Sequence, residues 1–151
     1  MLADRIDAVY LRVDSIEQAI WSSGVLGKGA EVGGAGYSVC YRIAADNLMI
    51  GKTVVADSVN PLKITRDAYR SVAEQIGVSV LEVEVVCSDR EQHRMRVETR
   101  PSTITGLVLP TWQQVADRDY EVWDRPRLVL DTALMSISQS VDEIVSALSL
   151  V

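Results

Sequence analysis

Two aspartates close short apolar runs in this chain of 151 residues. Asp14 follows Val9-Tyr10-Leu11-Arg12-Val13, and Asp57 follows Thr53-Val54-Val55-Ala56. Runs of this length and β-branched content read as strands. In an open parallel sheet, ligands sit in the crevice beyond the carboxyl ends of the strands, where an acid can take a hydroxyl proton or hold Mg²⁺. Taken singly, such an Asp is at least as often a cap for the following turn or helix. Two of them in one α/β chain tilt the reading toward chemistry. The second signal is arginine. Twelve of the fifteen basic residues are Arg, and seven of those fall between positions 90 and 127. The stretch Asp89 to Arg100 reads as a helix with Arg at 90, 94, 96 and 100 and no Lys. Arg grips phosphate or carboxylate with two parallel bonds, and Arg96 and Arg100 lie one turn apart. Followed by a Pro-bounded loop, 101–110, and then Arg118, the segment reads as a clamp for charged oxygens. The plainer alternative is a polar helix that faces water.

These residues need a scaffold, and the periodicities supply one. A capping box, Ser15-x-x-Gln18, opens a helix after the first strand. Residues 22–36 hold Gly at 24, 27, 29, 33, 34 and 36 and read as a loop. A helix follows from Tyr37 to Ile50 with Gly51 as its stop, then the second strand, Thr53 to Asp57. Pro61 breaks the connection to a helix over Thr65 to Ile76, which Gly77 ends. The clearest strand is Leu81 to Cys87, where Glu82 and Glu84 alternate with valines; that pattern implies a partly wetted face or a buried pairing. Ser88-x-x-Glu91 caps the Arg helix, Thr111-x-x-Gln114 a short one, and Ser140-x-x-Glu143 the last, after a fourth strand at Leu128 to Asp131. Strands alternating with helices imply an α/β layer fold with a mostly parallel sheet, in a single domain over 1–151 whose lid spans approximately 90–125.

Composition narrows the function classes. Hydrophobic residues make up 48% and charged residues 24%, so the chain is globular rather than disordered. There is no apolar run long enough to span a bilayer and no signal-peptide pattern at Met1-Leu2-Ala3-Asp4-Arg5, and a reducing cytoplasm is the expected home. Cys40 and Cys87 make no disulfide framework or zinc pattern, and Cys87 at a strand end reads as core. His93 reads as a surface residue, and no metal ligand set stands out. A net charge of -6 argues against nucleic acid as a partner. Gly51-Lys52-Thr53 imitates a phosphate-binding loop, but Asp46 occupies the first position of G-x-x-x-x-G-K-[ST], and the tripeptide leaves a helix to enter a strand, the wrong direction. Gly27-Lys28 fails too, with Ser22 first and Gly29 last.

The blocks Val9 to Glu17, Thr53 to Pro61, Glu84 to Asp89 and Arg94-x-Arg96-Val97-Glu98-Thr99-Arg100, in that order, resemble a bacterial family. It is the AAA-domain, P-loop kinase-like ATP-binding proteins, relatives of chloramphenicol phosphotransferase, polynucleotide kinase and zeta toxin. The resemblance runs from about Asp4 to Leu148. It implies a three-layer, P-loop NTPase-like sheet with helices on both faces and an Arg-rich lid, and phosphoryl transfer from ATP, with Mg²⁺, to a small hydroxyl compound. Residue by residue, it implies that Asp14 is the general base and that Asp57 and Asn60 lie near the substrate. By the same resemblance, Arg96, Arg100 and Arg118 are lid arginines that steady the transferring group, and Asp131 and Thr132 lie near the adenine.

The family opens with a strand, a phosphate loop and most of a helix before the equivalent of Asp4-Arg5-Ile6-Asp7, and this sequence lacks that unit. The resemblance therefore implies that these 151 residues bind no nucleotide and are inactive as they stand. The family's first strand lies at the centre of the sheet. Without it, Val54, Val55, Val83 and Val85 are expected to line an open groove or to belong to strands that pair directly. The other expectation is a non-catalytic remnant that binds an anion or a partner and forms a homodimer through that groove.

Overall fold

The computed structural model describes residues 1–27 and 30–150, so Lys28 and Gly29, and the Gly27-Lys28 pattern that includes Lys28, lie outside the described residues. In chain order the elements are α1 (Leu2–Arg5), β1 (Val9–Arg12), α2 (Val13–Ser22), α3 (Ala35–Met49), β2 (Val54–Asp57) and α4 (Lys63–Ile76). They continue with β3 (Val83–Val86), α5 (Arg90–Thr99), α6 (Trp112–Ala116), β4 (Leu128–Asp131) and α7 (Ile137–Leu148). β1 pairs with β2 in parallel, Val9 opposite Val54 and Arg12 opposite Asp57. β3 pairs with β4 in parallel, Val83 opposite Leu128 and Val86 opposite Asp131. The α/β class and the parallel pairing expected from the sequence are both present.

Helix α3 lies against β1 and β2, between α2 and α4. Its buried positions are small, Gly36, Cys40 and Ala44, so the helix axis can come close to the strands. Tyr41 meets Tyr69 of α4 edge to face, with ring centroids 4.6 Å apart. Gly77 stops α4 in the left-handed region, at φ 78°, and donates its N–H to Ala73 O at 2.9 Å. Cys40, fully buried, is the core cysteine; Cys87, expected in the core, is only half-buried and faces Asp89 O at 3.3 Å.

Three expected caps move. α2 starts straight out of β1 with Arg12 at its N-cap and no capping box at Ser15, because the chain turns from strand to helix without an intervening loop. Asp89, not Ser88, caps α5 by accepting from Gln92 N. Ser136 and Gln139 form the capping box of α7 in place of Ser140 and Glu143. The box at Thr111 and Gln114 is present.

No pairing joins β2 to β3, so the sheet is divided into two ribbons of two strands. Of the two arrangements expected, the strands stand apart. Val54, Val55 and Val83 are half-buried, and Val85 is 64% exposed.

A segment of eight residues, 120–127, ties the halves together. Glu121 N–H donates to Pro61 O at 2.9 Å, and its carboxylate accepts from Lys63 N–H. Arg125 grips Glu82 with two parallel bonds, Nε to Oε2 at 2.7 Å and Nη2 to Oε1 at 2.6 Å, and also reaches Asp67 of α4. Arg127 binds Glu84 at 2.7 Å, and the Tyr120 hydroxyl donates to the same carboxylate at 3.0 Å. The alternating glutamates are therefore a buried pairing: the Glu82 and Glu84 side chains are 11% and 10% exposed. Removing Glu82 leaves the nearly buried Arg125 with its contact to Asp67 but without the two-bond partner that Glu82 supplied. Glu82→Ala is expected to cost about 2 kcal/mol in urea unfolding. Glu98→Ala, which removes the exposed Arg94–Glu98 pair, should leave the midpoint where it is.

Candidate functional site

The carboxyl ends of β1 and β2 stand level, so whatever follows Arg12 and Asp57 gathers at one edge. From β1 come Asp14 and Glu17, in the first turns of α2. From β2 comes the loop Ser58-Val59-Asn60-Pro61. Tyr37, in the first turn of α3, and Tyr69, on α4, complete the lining.

Tyr37 is the hub. Burial pushes its phenol up and Glu17 adds to that push, while the Asn60 backbone, the Ser58 hydroxyl and the Arg118 guanidinium pull it down. The Tyr69 phenol is also driven up by burial, and its ring lies 6.5 Å from that of Tyr37. Asn60 sits at φ 46°, in the left-handed region that Asn tolerates better than most residues. Ser58 Oγ, Asn60 Oδ1 and the Tyr69 hydroxyl are buried with no hydrogen-bond partner among the described residues. Ser58 is near enough to bias both phenols but not aligned to bond either, so these groups retain unused bonding capacity.

The acids are held differently. Asp14 is half-buried and pairs with Arg12 Nη2 at 3.5 Å, and Arg12 Nη1 donates to Thr103 Oγ1 of the lid loop at 2.9 Å. Asp57 accepts a hydrogen bond from the Tyr10 hydroxyl, whose pKa is pushed up to about 12 by burial and that carboxylate. Glu17 has no ion pair among the described residues. Burial, and secondarily the charge of Asp14, raise its carboxyl above the ordinary 4.5. It is pressed against Gly36, where an added Cβ would fall 2.3 Å from Glu17 Cγ.

Of the residues singled out from sequence, Asp14 and Asn60 follow the level ends of β1 and β2 at this edge, and Arg118 acts there only through its charge on Tyr37. Arg118 is exposed and its side chain makes no hydrogen bond or ion pair among the described residues. Asp57 stands beside them, bound to Tyr10. The other four lie elsewhere. Arg96 donates to Thr132 Oγ1 and Thr132 O at 3.0 and 3.1 Å, fastening α5 to the end of β4. Asp131 Oδ1 accepts from Ser88 N–H and Ala133 N–H, both at 3.0 Å, which holds its pKa down. Arg100 is the C-cap of α5, and its N–H donates to Arg96 O at 3.1 Å. His93 sits edge to face against Trp112 at 5.2 Å.

Sequence reading missed Glu17, Tyr37 and Ser58. Ser58 had a signal, as the residue after the strand-ending Asp57; Tyr37 had none, since its apolar spacing placed it with the packing residues of its helix.

Solved structures define the class of this fold. The chain aligns with a protein from Chloroflexus aurantiacus J-10-fl described as a putative kinase, at 15% identity and a TM-score of 0.66, over 98% of this chain and 85% of that one. It aligns with the Mycobacterium tuberculosis APS kinase, solved in complex with AMPPNP and APS, at 18% identity and 0.66, over 98% and 86%. A third structure, APE1195, aligns at 23% identity and 0.61, over 99% and 84%. The fold is that of the P-loop kinases. No protein-family model matches the chain, and no curated protein matches it in sequence.

The 151 residues contain no G-x-x-x-x-G-K-[ST] pattern, and among the described residues no group of three or more His, Cys, Asp or Glu is clustered at metal-binding spacing. Also among the described residues, no helix is long and apolar enough to cross a membrane.

Because desolvation penalises the charged form, Glu17 is a destabilising group at pH 7 that becomes neutral in acid. Glu17→Gln is expected to raise stability at pH 7, with the gain fading as pH falls through the raised pKa toward 4.5 and below. By ¹³C NMR, the Glu17 carboxyl should titrate above 4.5 and move down, without returning fully, in Asp14→Asn. Gly36→Ala, which must expel the Glu17 side chain, should bring that midpoint close to 4.5.

Proposed function

We propose that this chain carries the acceptor side and the lid of an ATP-dependent phosphotransferase acting on a small hydroxyl compound, and that these 151 residues alone are inactive. The observation that supports this most is the gathering of Asp14 and Asn60 at the carboxyl ends of β1 and β2, in a kinase fold, with the charge of Arg118 felt at Tyr37 there. Asp14 is the group that takes the acceptor hydroxyl's proton. Arg12 pairs with it at 3.5 Å and orients it, and Arg118 supplies positive charge at the lid. Asp57 and Asn60 contact the acceptor. Arg96 and Arg100 serve the lid, Arg96 by fixing it to the end of β4, where Asp131 and Thr132 form the nucleotide-facing edge. The APS kinase neighbour was solved with a nucleotide analogue, which supports a nucleotide in the complete reaction. No step is assigned to it here, since the phosphate cradle is not among these residues.

The divided sheet favours a second reading, a non-catalytic protein that binds an anion or a partner and dimerises across the gap between β2 and β3. Calorimetry and sedimentation separate the two. The 151-residue chain is expected to show no micromolar binding of ATP with Mg²⁺. Expressed from its gene with the upstream sequence retained, the protein should phosphorylate a small hydroxyl compound, with kcat falling about a hundredfold or more in Asp14→Asn. Micromolar ATP binding by the 151 residues overturns the inactivity. A stable dimer, with no turnover from the longer product, supports the second reading.

A further inference from the structure

The loop 101–110 contains no helix or strand, yet it is seated against the start of α2. Its turn is Ile104-Thr105-Gly106-Leu107, closed by Leu107 N–H on Ile104 O at 3.2 Å, with Gly106 at φ 82°. That angle is left-handed backbone, which glycine adopts readily at the third position of such a turn. Ile104 and Leu107 are half-buried, whereas Thr103, Thr105 and Gly106 are exposed. Gly106 faces Gln18: a Cβ added there would fall 3.0 Å from Gln18 Nε2. Thr103 Oγ1 accepts from Arg12 Nη1 at 2.9 Å, the one side-chain hydrogen bond among the described residues that joins the loop to β1 or α2. Asp14 and Gln18 are four residues apart on α2 and share a face. The loop therefore meets that face twice, at Gln18 through Gly106 and at Asp14 through Arg12.

Arg12 is a weak guide for that carboxylate on its own. Its Nη2 stands 3.5 Å from Asp14 Oδ2, longer than a firm hydrogen bond, and the two side chains are 28% and 49% exposed. A guanidinium on a long stem loses rotamer freedom when it stands still. The Thr103 hydroxyl offsets that loss with a charge-assisted bond. We propose that Thr103 is a positioning residue, which by holding Arg12 fixes the direction of the Asp14 carboxylate, so that Asp14 is aimed only while the 101–110 loop is seated. The inference deepens the reading of Asp14 as the group that takes the acceptor's proton, and rests on it. A loop that lifts releases Arg12, and with it the aim of Asp14.

The first test reads rotamers in the 151-residue chain and needs no turnover. Three-bond couplings to the Asp14 β-protons are expected to report one χ1 rotamer. The Arg12 Nη groups should give resolved ¹⁵N signals, because rotation about the Cζ–Nε bond is slow when both are held. Thr103→Val keeps the shape and removes the hydroxyl. It should average the Asp14 couplings and speed the Arg12 rotation about tenfold, with the urea midpoint unchanged. Thr103→Ser should restore both signals. Arg12→Met should average the Asp14 couplings with Thr103 intact; if it does not fold, the two Thr103 variants decide. In the product expressed with its upstream sequence, Thr103→Val is expected to lower kcat about tenfold at unchanged KM. Couplings and rotation unmoved by Thr103→Val, or full kcat in that variant, overturn the positioning role and leave the phosphotransferase reading intact. No turnover by the longer product, or full kcat in Asp14→Asn, overturns Asp14 as the base, and this inference falls with it.

Discussion

The fork of Arg125 on Glu82, with its further contact to Asp67, is the constraint on which the rest of this fold depends. Two parallel strands make a weak unit alone, and here there are two such units with no backbone bond between them. The apolar interior is thin: eight fully buried hydrophobic side chains among the described residues, four of them Ala or Cys. Charged bonds along residues 120–127 do what a continuous sheet would otherwise do. They are shielded enough to matter, because Glu82, Glu84 and Arg125 are nearly withdrawn from water. Exposed pairs such as Arg94–Glu98 add little by comparison.

The same segment joins structure to function. Its first residues are bonded to the loop after β2, and its last lead into β4. The 101–110 loop is tethered at its far side, where Arg12 bridges Asp14 to Thr103. An acid at the end of β1 is thereby placed under a loop that carries no regular structure of its own. At that edge Glu17, its carboxyl raised by burial, lies beside tyrosines whose buried phenols stay neutral at physiological pH.

Much of this was legible from residue order. The strands at Val54 to Asp57 and Leu128 to Asp131, the helix ended by Gly77 and the Thr111 capping box follow from local rules. So does the gathering of Asp14 and Asn60, since parallel strands bring their carboxyl ends to one edge. The caps at Ser15, Ser88 and Ser140 misled because each had a competitor, Arg12, Asp89 and Ser136, and the choice depends on where the strand before it ends. Arg96 and Arg100 share a helical spacing in sequence, and what the spacing does not record is that the Arg96 side chain is bound to Thr132. Glu17 and Tyr37 acquire their importance only from burial and from each other.

By itself, the sequence determined the alternation of strand and helix, the acids at strand ends and the concentration of arginine before β4, because these depend on neighbours within a few residues. Tertiary structure decided which of those arginines are spent on internal bonds. Arg125 and Arg127 are held by Glu82 and Glu84, Arg96 by Thr132, and Arg66 by a carbonyl and two rings, whereas the Arg100 and Arg118 side chains make no hydrogen bond or ion pair among the described residues. It also decided that the sheet is divided. Pairing between distant strands and the burial of a charge depend on which groups meet across space, and no periodicity along the chain records that.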